Sequence, residues 1–150
     1  PVEDRRLQSK KEFLDDIAMS LAGYVVEEKI FGTVTTGPSN DLQVSSALAR
    51  DMVTKYGMSD KFGPIAFEPA GGKALFGNGV EGRTYSDHTS DEIDSEVSRI
   101  MREAREKVEK IITEKRSALD AVAKALIEKE TLEQAEYEAI VVAEGLSLEK

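Results

Sequence analysis

The residue types that carry hydrolytic chemistry are scarce in this chain, which has one histidine, His88, and no cysteine. A zinc peptidase uses three protein ligands and an open position for water, and the motif H-E-x-x-H supplies two of those ligands and a general-base glutamate. That motif needs two histidines, so it cannot occur within these residues. One histidine also disfavours a Ser-His-Asp triad, and a Cys–His pair is excluded. His88 itself is predicted to be an exposed loop or cap residue.

Carboxylates are the remaining candidates, and Asp41 lies in a run with clear helix-start features, Thr35-Thr36-Gly37-Pro38-Ser39-Asn40-Asp41-Leu42. Pro38 suits a first helical turn, because its missing N–H costs nothing there. Thr36 or Gly37 can serve as N-cap of a helix that runs from Pro38 to about Tyr56. The charge of Asp41 complements the positive end of that helix dipole. From the residues alone, Asp41 is an acid near a helix start.

The run from Thr35 to Leu42, with the segment from Ala49 to Pro64, resembles the peptidase domain of the FtsH family. Members of that family are membrane-anchored, ATP-dependent zinc metalloproteases. Their run usually reads T-T-G-A-S-N-D, and its aspartate is the third protein ligand of the catalytic zinc. The resemblance therefore implies that Asp41 is a metal ligand. The stretch from Leu126 to Leu132 also resembles the family's closing L-x-x-x-E-T-L/I signature.

A further part of the resemblance lies in Leu21–Glu28, which is similar to the family pattern G-G-R-x-A-E-E, with alanine for the first glycine and tyrosine for the arginine. It implies close helix packing at Gly23 and a supporting role beside the metal for Glu27. Asn40 is a second candidate for such support, since asparagine side chains readily hold loops by hydrogen bonds. The alternative is that Glu27 and Glu28 form a solvated pair late in a helix.

The resemblance covers nearly the whole chain, but only the part of the peptidase domain that follows the H-E-x-x-H helix. It implies a parent homo-hexamer that degrades protein substrates at the cytoplasmic face of the inner membrane. Zinc is the implied cofactor, and ATP and magnesium would be bound by a module upstream. A start at Pro1 instead of Met fits a fragment or a processed product. The isolated chain is expected to bind zinc weakly and to cleave nothing.

The alternative function is a non-catalytic helical protein-interaction module. It is favoured by the incomplete catalytic set, the abundant amphipathic helices and the mixed-charge surface. Under either function, nucleic acid is an unsuitable partner because the net charge is −9. No apolar run approaches the roughly 20 residues that span a bilayer, so this segment is expected to make no membrane contact and to be soluble.

The elements that position these residues are predicted to be mainly α-helical. Ser9-Lys10-Lys11-Glu12 has capping-box form and starts a helix that Gly32 ends. A similar box at 89–92 starts a long helix, which breaks near Ser117. Another at 131–134 starts a last short helix. Together these helices are predicted to form a long C-terminal helical hairpin. The long helix has one apolar stripe and a predicted solvated face. That face contains Glu96, Arg99, Arg102, Glu103, Arg105 and Glu106.

Glycines and prolines interrupt the helical periodicity between residues 58 and 88. This region is predicted to be a Gly-rich loop with a short β-hairpin formed by 65–67 and 73–76. It carries no G-x-x-x-x-G-K-[S/T] phosphate-binding pattern. The single peptidase-domain portion, 1–150, is therefore divided into metal-side helices (1–57), the loop region (58–88) and C-terminal helices (89–150).

Overall fold

The computed structural model describes residues 7–68 and 84–147, which form five α-helices and contain no strand. The helices are α1 (Lys10–Phe31), α2 (Ser39–Thr54), α3 (Asp87–Glu114), α4 (Arg116–Lys129) and α5 (Gln134–Ala143). The prediction of a mainly α fold is confirmed. The chain divides into two compact units, Pro1–Val108 and Glu109–Lys150. Among the described helices, none combines the length and the apolar character needed to cross a membrane.

Both predicted ends of α1 are confirmed. The hydroxyl of Ser9 accepts a hydrogen bond from the N–H of Glu12 (3.2 Å), and the Glu12 carboxylate accepts one from the N–H of Ser9 (2.7 Å). The helix ends at Gly32, whose φ of 69° is the left-handed conformation that glycine adopts without steric cost. The Gly32 N–H donates to the carbonyl oxygen of Glu28 (3.0 Å). Local sequence therefore fixes where this helix begins and ends.

The first unit is built around an apolar core to which α1, α2 and α3 all contribute. Ile17 of α1, Met52 of α2 and Ile93 of α3 are completely buried. Burial of one such side chain stabilises a fold by roughly 1.5–3 kcal/mol. The other buried members of this core are Phe13, Leu21, Ala49, Val53, Ile100 and Ala104. This packing holds together α1 and α2, the two helices whose other ends carry the candidate site.

Two of the three predicted capping boxes are wrong. Helix α3 starts at Asp87, two residues before Thr89, because the hydroxyl of Ser86 accepts a hydrogen bond from the Thr89 N–H (3.1 Å) and so caps the helix earlier. Helix α5 starts at Gln134 with a capping box between Glu133 and Glu136, not at Thr131. Each of these stretches offers more than one side chain able to cap, so the local pattern alone does not choose between them.

The prediction that Glu96 lies on a solvated face is also wrong, since this residue is only 4 % exposed. Its carboxylate accepts hydrogen bonds from the Ser59 hydroxyl (2.8 Å) and from the Arg99 guanidinium (2.7 and 2.9 Å). The bonds from Arg99 lower the pKa of Glu96 below its ordinary value, and the Ser59 bond adds to this shift. Glu96 thus binds the loop after α2 to α3.

The predicted hairpin is only partly within the described residues. Residues 65–67 form no strand, and the predicted partner strand, 73–76, lies outside the described residues. Phe67 and Glu68 instead donate their backbone N–H groups to the Thr54 carbonyl oxygen at the end of α2 (2.7 and 2.9 Å). A backbone that bonds to a helix end in this way has these donors satisfied without a strand partner.

In the second unit, α4 and α5 contact each other. The break between α3 and α4 falls at Lys115, close to the predicted Ser117. Ala118 and Val141 are the buried residues of α4 and α5, and the Ser117 hydroxyl donates to the Glu144 carboxylate. An apolar cavity of about 420 Å³ lies in this unit. It is lined by Ile111, Ile112, Lys115, Ala118, Leu119, Val122, Tyr137, Val141 and Leu146.

Candidate metal-ligand cleft

An open cleft of about 380 Å³ lies between the last turns of α1 and the first turn of α2. Two predicted site residues, Glu27 and Asp41, line it together. The third, Asn40, is exposed and is not one of the lining residues. The other lining residues are Gly23, Val26, Phe31, Gly37 and Pro38. The cleft thus contains two carboxylates that are fourteen positions apart in sequence. The rest of its wall is largely apolar.

Asp41 lies in the first turn of α2 and is exposed to solvent. Within the described ranges, its carboxylate makes no hydrogen bond and no ion pair, and only its backbone carbonyl oxygen is engaged, by the Ser45 hydroxyl (2.7 Å). An acid at this position is favourable for the helix dipole, as the sequence predicts. Because both carboxylate oxygens are uncommitted, the side chain also remains available as a ligand.

The start of α2 differs from the sequence prediction. The N-cap is Pro38, so neither Thr36 nor Gly37 caps the helix, and no side chain makes a cap hydrogen bond there. The turn is closed by backbone bonds instead, since the Ser39 N–H donates to the Thr36 carbonyl oxygen (3.2 Å) and the Leu42 N–H to the Pro38 carbonyl oxygen (3.0 Å). The first-turn N–H groups of α2 are therefore left without a side-chain acceptor among the described residues.

Glu27 is linked to that turn through Thr35, which is not among the predicted site residues. The Thr35 hydroxyl donates to the Glu27 carboxylate, and the same oxygen accepts a hydrogen bond from the Gly37 N–H (3.1 Å). A threonine two residues before a turn N–H is a known local pattern, and that pattern could have identified Thr35. Glu27 is therefore not a simple solvated acid: it contacts the loop that leads into α2.

The predicted close packing at Gly23 is wrong for this chain. Gly23 is exposed, and a Cβ atom placed there would meet no atom of the described residues within 4 Å. Its small size instead leaves one side of the cleft open. His88 is 83 % exposed, as predicted, and its Nε2 atom lies 3.8 Å from a Glu92 carboxylate oxygen. It lies in the first turn of α3 and does not line the cleft.

The side chains of the described residues do not form a complete metal site. In the part of the chain that the structure describes, no group of three or more His, Cys, Asp or Glu side chains is close enough to hold one. Asp41 nevertheless offers the type of oxygen that zinc accepts, and the cleft beside it is open. The residues present therefore fit one ligand of a zinc site, not a complete site.

Comparison with known proteins gives a family match over most of the chain. A family model described as Peptidase family M41 matches residues 1–140. The chain is 44 % identical over 142 residues to a protein of Kosmotoga olearia and 42 % identical over 143 residues to one of Bacillus subtilis, both named ATP-dependent zinc metalloprotease FtsH. These alignments cover 94 % of this chain and 22 % of each relative.

A protein of Thermus thermophilus with the same name is 42 % identical over 147 residues, which is 98 % of this chain and 23 % of the relative. The chain therefore spans less than a quarter of the length of each of these relatives. The similarity extends across both compact units and includes the cleft at α1 and α2.

Proposed function

The chain belongs to peptidase family M41, as its resemblance to the FtsH proteases predicts, and we propose that Asp41 supplies one protein ligand to the catalytic zinc of a longer metalloprotease. The observation that carries the proposal is the free carboxylate of Asp41 at an open cleft. Many acids of the described residues are engaged in ion pairs, among them Asp15, Glu28 and Glu96. A carboxylate with both oxygens uncommitted needs no bond to be broken before it binds a metal.

Each residue of the cleft has a distinct part in this proposal. Asp41 holds the metal through a carboxylate oxygen, and Glu27 supports the loop that leads to Asp41 through Thr35. Val26, Phe31 and Pro38 form the apolar part of the cleft wall beside the carboxylate. When bound, zinc would supply Lewis-acid chemistry for the hydrolysis of a peptide bond. Asn40, which does not line the cleft, keeps a proposed role in holding the loop.

The remaining ligands would come from the longer protein. The proposal gives that protein the H-E-x-x-H histidines, an ATPase module that binds ATP and magnesium, and an anchor at the cytoplasmic face of the inner membrane. It would act on protein substrates as a homo-hexamer. This segment would contribute the third ligand, part of the cleft wall and much of the helical packing, and it would be inactive alone and make no membrane contact itself.

The second candidate function is a non-catalytic helical interaction module. One observation favours it: among the described residues, Asp41 has no nearby pair of further ligands. Under this alternative Asp41 stabilises α2 through the helix dipole and binds nothing. The two functions differ in what a conservative change at Asp41 does to zinc content.

The test is Asp41→Asn in the longer protein, with Asp91→Asn as the matched control. Asp91 is also an exposed aspartate near a helix start, but it lies on α3 and does not line the cleft. Asparagine keeps the size of the side chain and removes its charge. We expect Asp41→Asn to lower the zinc affinity by more than the 10–100-fold that outer-shell changes typically cost. Proteolysis of an unfolded protein should fall by at least as much, while ATP hydrolysis continues.

The control should keep its zinc, measured by atomic absorption after dialysis, and should keep its proteolytic rate. If Asp41→Asn retains both zinc and proteolysis at the level of Asp91→Asn, the ligand assignment is wrong and the interaction module is the better function. Zinc binding and strong proteolysis by the isolated 150-residue chain would contradict the view that the other ligands lie elsewhere.

A further inference from the structure

We propose that Thr35 is a positioning residue for Asp41, because its hydroxyl joins the end of α1 to the turn that opens α2. This inference rests on the proposed function, since the group that Thr35 positions is the metal-binding carboxylate. Thr35 itself contacts neither the metal nor a substrate in this scheme. It acts through the backbone of the turn between residues 35 and 41.

The hydroxyl oxygen of Thr35 takes part in two hydrogen bonds. The hydroxyl donates to Glu27, which lies in the last turns of α1, and accepts from the N–H of Gly37, one residue before the N-cap of α2. One oxygen thus connects two separate segments. The fit is close, since a Cβ atom at Gly37 would come within 3.3 Å of the same oxygen. A side chain at position 37 would therefore require the Thr35 hydroxyl to shift by a few tenths of an ångström.

No side chain of the described residues caps the start of α2, which is held by backbone hydrogen bonds instead. Its N-cap is Pro38, which offers no side-chain acceptor, and the Pro38 nitrogen carries no hydrogen. The Gly37 N–H is the last backbone donor before this proline, and Thr35 is the residue that accepts from it. A change in this bond alters the direction in which the chain enters α2, and Asp41 follows within the first helical turn.

The Glu27–Thr35–Gly37 network should contribute more to metal affinity than to the free energy of unfolding. Thr35, Gly37 and Asp41 are all exposed, so loss of the hydroxyl leaves groups that water can satisfy. The cost to folding is therefore small. Metal binding is more sensitive, because residues that hold a ligand in place typically contribute 10–100-fold to metal affinity. A positioning role predicts a large effect on zinc and a small effect on stability.

The chain provides a matched control in the neighbouring residue, Thr36. It is the same residue type in the same turn, but only its backbone carbonyl oxygen is used, by the Ser39 N–H. Its side chain makes no hydrogen bond within the described part of the chain. Thr36→Val therefore repeats the chemical change of Thr35→Val without removing the Glu27–Thr35–Gly37 network.

The experiment compares Thr35→Val, Thr35→Ser, Thr36→Val and Asp41→Asn in the longer protein, with zinc affinity measured by competition against a chromogenic chelator. We expect a loss of about tenfold or more for Thr35→Val. Thr35→Ser should keep the zinc affinity of the wild type, because serine retains the hydroxyl. Thr36→Val should also leave the zinc affinity unchanged. A second readout uses the metal-free 150-residue chain, in which the Gly37 amide should exchange its hydrogen faster in Thr35→Val than in Thr36→Val.

Glu27→Ala gives an independent test from the other end of the network. It should lower zinc affinity, and combined with Thr35→Val the two losses should be less than additive, because both remove the same link. Equal zinc affinity and equal Gly37 exchange in Thr35→Val and Thr36→Val would overturn the inference. If Asp41→Asn loses zinc and Thr35→Val does not, the positioning role fails while the proposed function stands. If Asp41→Asn keeps zinc, the proposed function itself fails.

Discussion

Asp41 and Glu96 are two carboxylates of the same compact unit with opposite surroundings. Asp41 is exposed, and its side chain has no partner among the described residues. Glu96 is 4 % exposed and accepts three hydrogen bonds, one from Ser59 and two from Arg99. The sequence gives little hint of this difference, since both are acids on amphipathic helices.

The difference separates a structural acid from an available one. A buried carboxylate must have its oxygens satisfied, because an unpaired buried charge is very costly. Glu96 has used its acceptor capacity within the protein and cannot bind a metal without breaking those bonds. Asp41 has kept its acceptor capacity, and its exposure means that the fold does not depend on it. Changes at the two residues should therefore affect different properties.

The largest expected effect on stability comes from Glu96→Ala. It removes a buried partner from Ser59 and Arg99 and leaves a small cavity, so we expect the free energy of unfolding to fall by about 3 kcal/mol. Asp41→Asn should change it by less than about 1 kcal/mol, the range of a helix-dipole interaction. Urea unfolding followed by circular dichroism measures both. Equal losses for the two variants would break the distinction between them.

A fall in pH is expected to lower the free energy of unfolding by a smaller amount. The direction of this change follows from the lowered pKa of Glu96. In the unfolded chain this group titrates near its ordinary value of 4.5, whereas in the folded protein the Arg99 hydrogen bonds hold the pKa lower. Its contribution to stability is therefore complete above about pH 4.5 and is lost as the pH falls through the folded pKa.

The measurement is urea unfolding at a series of pH values for the wild type and Glu96→Gln. Asp15 and Glu136 also have a lowered pKa. Both residues are present in the wild type and in the variant, so their contributions to the pH dependence cancel in the comparison. We expect the wild type to be more stable at neutral pH and the difference to shrink below about pH 4.5. A difference that stays constant down to strong acid would show that the charge of Glu96 is unimportant.

A smaller loss of stability than for Glu96→Ala is expected from Ser59→Ala, which removes one of the three hydrogen bonds to Glu96 and leaves both bonds from Arg99. We expect a loss of about 1.5 kcal/mol, the lower end of the range for a hydrogen bond to a charged group. In the double variant with Glu96→Ala, the additional loss should be much smaller, because the Ser59 hydroxyl then keeps only the long hydrogen bond that it accepts from the Phe62 N–H (3.5 Å) among the described residues. A full additional loss in that cycle would mean that Ser59 stabilises the loop after α2 without Glu96.

Some elements could be predicted because their causes are local. The Ser9 box and Gly32 set the ends of α1, since capping bonds and a positive φ depend on residues only a few positions apart. The predicted starts of α3 and α5 are wrong. Ser86 and Thr89 can both cap a helix, and Phe67 packs edge-on against the Tyr85 ring next to Ser86 (5.7 Å between centroids). That contact joins residues eighteen positions apart, so a local pattern does not contain it.

The sequence by itself determined the mainly helical fold and the position of Asp41 at the start of α2, because both follow from residue types at short spacing. It also carried the family, through a resemblance that extends over most of the chain. Only the tertiary structure decided which acids are free. It brought Glu27 to Thr35 across the Gly32 turn, and it buried Glu96 against Ser59, thirty-seven positions away. Helical periodicity assigns a side chain to a face, but the partner that covers that face is chosen by packing between distant segments.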